Sequence, residues 1–179
     1  IDRLGSDSII KLLDGLTDRE SFSNPDVSRW FEIHRGRCKR TSIVGKMFAE
    51  TLVKHLSDDC QLSGLFLFFG DMLTVSHLER QYVELAEEYQ RGALNYRLVQ
   101  AFKFEPQEVG LDYLRKTGIP EHLLGAIDKE ASLRGDRAIL KTIVNAAGEM
   151  VDTFDLNRWE KLSPGATLPS KSAIRLLVL

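Results

Sequence analysis

Apolar residues recur at intervals of three and four along most of the chain, and few stretches alternate apolar and polar residues. The first spacing places side chains on one face of an α-helix, whereas alternation is typical of a strand. The clearest amphipathic stretch lies toward the C-terminus and shares one helical face: Ile139, Ile143, Ala146, Ala147, Met150 and Phe154. The pattern predicts an all-α fold, a helical bundle.

Turn and capping residues indicate where individual helices begin. Asn24 and Pro25 form a typical N-cap and first helical residue. A separate helix is expected from Thr41 or Ser42 to about Leu56, because Gly36 and the surrounding charges argue against ordered helix before it. Further amphipathic stretches predict helices at residues 9–16, 78–89 and 96–102, and a last helix capped by Ser170.

The segment Leu62–Val75 is apolar almost all round, which predicts one continuous helix buried by its neighbours. After it, Pro106 starts a helix that ends at Gly118, a residue suited to a left-handed C-cap. Pro120 then begins a short helix that reaches roughly Ala131. The segment Leu62–Val75 is expected to be the centre of the fold.

Length and charge limit the classes of function. The chain has 179 residues and 24 basic against 26 acidic side chains, a formal net charge of −2. This suits one compact domain and argues against a protein that coats nucleic acid.

No apolar run is long enough to cross a membrane. Cys38 and Cys60 lie in no zinc-binding spacing, which is typical of a reducing cytoplasm. The opening at Ile1, without Met, predicts a piece of a longer protein.

A basic cluster is the first candidate site, and its members are Arg35, Arg37, Lys39 and Arg40, with His34 and Lys46 nearby. Several guanidinium groups on one face would bind an anion such as a phosphate. The alternative is a solvated surface, since no glycine-rich phosphate loop and no aromatic ladder accompany the cluster.

Other chemistry has weaker support. His34 and Cys38 are four residues apart, so on a helix they could form a thiolate–imidazolium pair, but no third group is visible. The histidines fall on different predicted elements and in no metal-binding spacing. Carboxylate pairs such as Asp152 with Asp155 are interpreted as solvated surface. Residue chemistry alone therefore predicts no catalytic residue, metal or cofactor.

Four segments resemble the HDOD family, the HD-related output domains of bacterial signalling proteins, and the first of them is IDRLG at Ile1–Gly5, similar to the family's AIDRLG. Gly64–Leu73, GLFLFFGDML, is similar to that superfamily's GLLHDIGKLV. Glu108–Ile127, EVGLDYLRKTGIPEHLLGAI, resembles EVGAYLLRRWGLPEELVEAI, and Leu140–Val151 resembles ARIVHLADRLA. The likeness covers Ile1 to about Phe154, with 155–179 as a C-terminal loop and helix packed on that domain. It implies the C-terminal part of the family domain, without its N-terminal part.

The resemblance also implies that the metal ligands of catalytic HD proteins are missing here. The positions matched to those ligands are Leu67, Phe68, Pro106, Glu130, Ala131 and Gly148. Apolar side chains and glycine give a divalent ion no donor atoms. Leu67 and Phe68 are expected to fill the vacated volume and extend the core.

The resulting hypothesis is a bacterial, cytoplasmic regulatory domain that is not an enzyme and works through a protein partner or an attached signalling domain, without nucleic acid or membrane. One alternative is a divergent HD phosphohydrolase acting on a nucleotide or cyclic dinucleotide, with relocated ligands such as His34, His77 or Asp71. A second alternative is a sensor of a small anion at the basic cluster.

Overall fold

The computed structural model describes residues 22–88 and 91–159, which form helices, turns and no strand. The all-α prediction is confirmed. The α-helices are α1 (Pro25–Leu52), α2 (Ser57–Phe66), α3 (Phe69–Leu78), α4 (Arg80–Glu88), α5 (Arg91–Phe102), α6 (Pro106–Lys116), α7 (Glu121–Ile127) and α8 (Asp136–Trp159). A single 3₁₀ turn, Lys54–Leu56, joins α1 to α2.

Helix α1 is longer than the sequence predicts. Asn24 caps it as expected, its side-chain oxygen accepting from the Asp26 amide at 2.9 Å. The helix then runs unbroken through Gly36, so the separate helix expected from Thr41 is wrong. Burial of its apolar face outweighs the helix cost of one glycine, about 1 kcal/mol. The buried residues along α1 include Val27, Phe31, Cys38 and Ala49.

The predicted central helix is two helices, so the expectation of one continuous helix over Leu62–Val75 is also wrong. Helix α2 ends at Phe66 and α3 begins at Phe69. Phe68 has φ −109° and ψ 15°, outside the helical region. Periodicity does not reveal this break, because both sides of it are apolar.

Two apolar clusters form the core. One brings together residues of α1, α2, α3, α6, α7 and α8, with Phe66, Phe69, Leu114, Leu124 and Ile143 among its members. The other lies between α1, α3, α4 and α5 and includes Phe31, Met72, Tyr82 and Leu98. Leu67 packs against the first cluster and Phe68 against the second. The α2–α3 break therefore stands at the junction of the two clusters.

The later boundaries follow the sequence only in part. Gly118 has φ 81°, as predicted for the residue that ends α6. Helix α7 ends at Ile127 rather than near Ala131, because the Lys141 ammonium binds the carbonyl oxygens of Asp128, Lys129 and Ala131 at 2.7, 3.1 and 2.8 Å.

Helix α8 continues through Trp159, so the first residues of the predicted tail are helical. The helices predicted at residues 9–16 and after Ser170 lie outside the described residues. Among the helices described, none combines the length and apolar character needed to cross a membrane.

Candidate functional site

Arg37 lies at the centre of a buried polar network that joins three helices. Its Nη2 donates to Oδ1 of Asp152 on α8 at 2.8 Å, and its Nη1 lies 3.5 Å from Oδ2 of Asp71 on α3. The guanidinium carbon is 3.6 Å from the ring centroid of Phe68, a cation–π contact. Only 2% of Arg37 is exposed. One guanidinium thus contacts two carboxylates and the face of one aromatic ring.

His34 completes this network, and its partners fix its tautomer. Nη1 of Arg37 donates to Nδ1 of His34 at 2.9 Å, because a guanidinium has no acceptor. The Nε2 of His34 therefore carries the hydrogen and donates to the hydroxyl oxygen of Tyr82 at 2.7 Å. Burial, and then the charge of Arg37, lower the pKa of His34 well below its usual value. The imidazole is neutral near pH 7.

Asp71 is the carboxylate most affected by burial. Burial raises the pKa of Asp71, the guanidinium of Arg37 lowers it, and Asp152 raises it again. Two carboxylates that share one cation repel each other, so a proton is easier to add to Asp71 than to a solvated carboxyl. Arg37 is the group that most opposes the rise in the pKa of Asp71.

The neutral, buried His34 predicts that acidification destabilises the fold. Its pKa is lowered on folding, so below about pH 6.5 the unfolded chain takes up the proton first. We expect the His34 proton to lower the free energy of unfolding from pH 7 to pH 5 by at most about 1.4 kcal/mol per pH unit, against the opposite contribution of Asp71, and urea titrations measure the slope. His34→Gln, which keeps a donor and an acceptor, should flatten that slope. His77→Gln on the exposed end of α3 is the control and should leave the slope unchanged; equal slopes in both variants would contradict the assignment.

A cavity of about 670 Å³ opens beside this network. Five of the six positions matched to HD metal ligands line it: Leu67, Phe68, Pro106, Ala131 and Gly148. The sixth, Glu130, is exposed and lines a smaller cavity of about 330 Å³ instead. Asp71 and Asp152 also line the larger cavity. The sequence positions singled out by the resemblance thus converge on one place.

Leu67 and Gly148 are fitted to each other within this cavity. A Cβ added at Gly148 would overlap Cδ2 of Leu67 and would stand 3.5 Å from the Phe68 ring. A side chain at residue 148 would therefore require the end of the Leu67 side chain to move aside. Leu67 and Phe68 were expected to fill the vacated volume and extend the core. This expectation holds only in part, since both side chains are half-buried and form a cavity wall.

The basic cluster does not form one surface, which argues against the predicted anion site. Arg37 is turned inward onto carboxylates, while Arg35 pairs with Glu32 at 2.7 Å on the outer side of α1. Arg40 is exposed, and its guanidinium lies over Gly36. Lys39 is half-buried. Residues two positions apart on a helix point in nearly opposite directions, so Arg37 is separated from Arg35 and Lys39.

The proposed Cys38–His34 pair is also not a reactive pair. The Cys38 thiol lies 3.8 Å from the sulfur of Met72, and both ring nitrogens of His34 have other partners. Burial raises the pKa of Cys38 to about 12, so the thiol is protonated near pH 7.

The suggested metal ligands do not meet either. His77 is exposed, and its Nδ1 donates a hydrogen bond to the carbonyl oxygen of Leu73 at 3.0 Å. His34 is buried and accepts a hydrogen bond from Arg37. Among residues 22–88 and 91–159, no group of three or more His, Cys, Asp or Glu side chains is arranged to hold a metal ion.

Sequence reasoning missed Asp152, which it assigned to a solvated pair with Asp155. A signal was present, because Asp152 lies one turn after Gly148 on the same face of α8. What the sequence did not show is that Arg37 crosses from α1 to meet it, a contact between residues 115 positions apart.

Known proteins match this chain only in part. The taste receptor type 1 member 2 of Cebuella pygmaea is 34% identical over 77 residues, which is 43% of this chain and 9% of the receptor. The receptors of the same name from Macaca mulatta and Mus musculus are 32% identical over 71 residues and 38% identical over 55, or 40% and 31% of this chain. The chain spans less than a tenth of their length. No protein-family model matches the chain, and no solved structure does. These comparisons establish no family.

Proposed function

We propose that this chain is a non-catalytic regulatory domain of the HDOD type, acting through contacts with a protein partner or an attached signalling domain in the bacterial cytoplasm. The observation that carries the proposal is the packing of the side chains that form the cavity wall. Where HD enzymes are expected to hold metal ligands, Leu67 packs over Gly148, and the Phe68 ring is covered by the Arg37 guanidinium.

The electrostatics of the wall support the same conclusion. Two of the carboxylates that line the cavity, Asp71 and Asp152, already share a permanently charged guanidinium. A divalent ion would have to displace Arg37 from both carboxylates and from His34. That displacement is costly, because it separates a buried guanidinium from its charged partners.

A divergent metal-dependent phosphohydrolase is the second candidate. It is favoured by one observation: Asp71 and Asp152 both line a cavity of about 670 Å³, and that volume suits a small substrate. Although Glu105 and Glu149 line the cavity too, no three His, Cys, Asp or Glu side chains of the described residues are grouped as a metal site requires. This candidate therefore requires ligands beyond those that the described residues provide.

Metal binding separates the two candidates. We expect elemental analysis of protein purified without chelator to find no stoichiometric metal, and Mn²⁺, Mg²⁺, Fe²⁺ or Zn²⁺ to leave the melting temperature of the wild type unchanged. Cleavage of bis(p-nitrophenyl) phosphate and of cyclic dinucleotides should stay at background. Stoichiometric metal together with metal-dependent cleavage would overturn the proposal in favour of the hydrolase.

Arg37→Ala supplies the matched control for this experiment. The substitution removes the resident cation from Asp71 and Asp152, so divalent ions should stabilise this variant while leaving the wild type unaffected. Circular dichroism establishes that the variant is folded before ions are added. Equal stabilisation of wild type and variant would show that Arg37 does not close the site.

A further inference from the structure

The junction between α3 and α4 consists of one strained residue, Glu79. Helix α3 ends at Leu78 and α4 begins at Arg80, so Glu79 alone separates them. Its φ of 45° and ψ of −111° lie in a region that glycine enters easily and other residues avoid. This conformation costs the folded chain free energy, which another path of the backbone at Glu79 would recover.

The backbone hydrogen bonds on both sides of Glu79 are already those of a helix. The Glu79 amide donates to the Val75 carbonyl at 2.9 Å, and the Val83 amide donates to the Glu79 carbonyl at 3.2 Å. With helical torsions at Glu79, α3 and α4 would merge into one helix. Merging would also pair the first amides of α4 with the last carbonyls of α3, groups that lack helical partners at separate helix ends. Strain and hydrogen bonding therefore both favour the merged helix.

A single chain cannot merge these helices and keep its core. Tyr82 and Leu98, which follow the junction, belong to the same apolar cluster as Phe31 and Met72, which precede it. The other cluster also combines residues from both sides of the junction. Straightening the chain at Glu79 would carry α4 and the helices after it away from α1. A merged helix is therefore compatible with a buried core only if another molecule supplies the missing partners.

A second copy of this chain supplies those partners through the contacts already present. If two chains exchange the segment that begins at Arg80, each core is rebuilt from the first part of one chain and the second part of the other. The contacts of Arg37 with Asp152 and of His34 with Tyr82 then form between chains. Short strained hinges favour this exchange, which is called domain swapping. We propose that the chain forms such a swapped dimer, with α3 and α4 as one helix. The dimer does not depend on the regulatory function proposed above.

Two substitutions of Glu79 should shift dimerisation in opposite directions. Glu79→Gly relieves the strain of the bent form and weakens the merged helix, whereas Glu79→Ala keeps the strain and favours the helix. A dimer has two junctions, and each should contribute about tenfold or more, so the dimerisation constant of Glu79→Ala should exceed that of Glu79→Gly about a hundredfold or more. Both variants lose the same carboxylate, so charge does not explain a difference between them. Light scattering of the full chain, refolded from urea at low and high protein concentration, measures the dimer fraction.

Lys103→Gly is the matched control for Glu79→Gly. Lys103 also has a positive φ, 60°, but it follows the end of α5 at Phe102, and α6 begins only at Pro106. Relief of strain there joins no helices, so this variant should dimerise like the wild type. Absence of a dimer of Glu79→Ala at high concentration, or equal dimerisation of the two Glu79 variants, would overturn the proposal.

Cross-linking distinguishes exchange of segments from association of intact surfaces. His55 precedes the junction and Asp136 follows it; both are exposed, and Nε2 of His55 lies 3.1 Å from Oδ2 of Asp136. In a chain with His55→Cys and Asp136→Cys, a short bis-maleimide should join the two positions within a monomer. In the Glu79→Ala dimer it should join two chains, and a denaturing gel shows the covalent dimer. Cross-links confined to single chains of the dimer would contradict domain swapping.

The native cysteines do not interfere with this cross-link. Cys38 and Cys60 are buried, and burial raises the pKa of each thiol to about 12. Both thiols are therefore protonated near pH 7 and react slowly with maleimides. The chain without the two introduced cysteines should give no covalent dimer under the same treatment.

Discussion

Replacing Arg37 by alanine should lower the free energy of unfolding by about 3 kcal/mol or more, the loss expected when one partner of a buried ion pair is removed. The substitution leaves Asp71 and Asp152 without their shared cation and leaves Nδ1 of His34 without its donor. It also removes the guanidinium from the Phe68 ring. Urea denaturation near pH 7, followed by circular dichroism, measures the change.

The pH dependence of this loss identifies its cause. Burial already raises the pKa of Asp71, and Arg37 opposes that rise. Without Arg37 the pKa of Asp71 in the folded form rises further, so the folded variant takes up this proton at higher pH than the folded wild type and is stabilised more as the pH falls. The gap between variant and wild type should therefore narrow on acidification. A gap that is constant with pH would show that lost packing, and not charge, explains the effect.

Two further variants control for the position and the charge. Arg35→Ala removes the surface pair with Glu32, in which both side chains are partly exposed, and should cost less than about 1 kcal/mol. Arg37→Lys keeps the positive charge but loses the planar group that reaches several partners, so it should restore only part of the stability. An Arg37→Ala variant as stable as Arg35→Ala would contradict the central role of the buried network.

How far the sequence predicts this molecule depends on whether a feature is local. The cap at Asn24 and the helix end at Gly118 depend on neighbouring residues, and both are found as predicted. The break at Leu67–Phe68 is not evident from neighbouring residues, which are apolar on both sides, and it adjoins a close contact of α3 with α6, a helix distant in the chain. The site was not predicted for the same reason, because Arg37 points inward to meet Asp152 on another helix.

The basic cluster also shows that sequence proximity does not establish spatial proximity of side chains. Four basic residues close together in the sequence indicate a shared surface only if their side chains point the same way. In one continuous helix Arg37 points away from Arg35 and Lys39, so the wrong helix boundary at Gly36 also concealed the separation of these side chains. An accurate helix boundary would have separated Arg37 from its neighbours by geometry alone.

Among glycine-to-alanine substitutions in the helices of the described chain, Gly70→Ala should cause the largest loss of stability. Helices α3 and α6 cross so closely that a Cβ on Gly70 would overlap the Pro106 carbonyl oxygen, and a Cβ on Gly110 would lie 2.8 Å from the Gly70 backbone. Because the obstacle is backbone, no side-chain rotation relieves it, and the two helices must move apart. We expect a loss of about 3 kcal/mol in the free energy of unfolding by urea denaturation, at the upper end of overpacking effects.

Gly125→Ala is the matched control for this experiment, because it makes the same chemical change at another buried helical glycine. There a Cβ would meet only the Leu133 side chain at 3.7 Å, an ordinary contact, and alanine favours the helix by about 1 kcal/mol. This variant should be as stable as the wild type or more so. Similar losses in the two variants would show that the α3–α6 crossing is not closer than other helix contacts. A loss confined to Gly70→Ala would mean that the crossing fixes α3, and with it the Leu67–Phe68 break and the wall of the cavity.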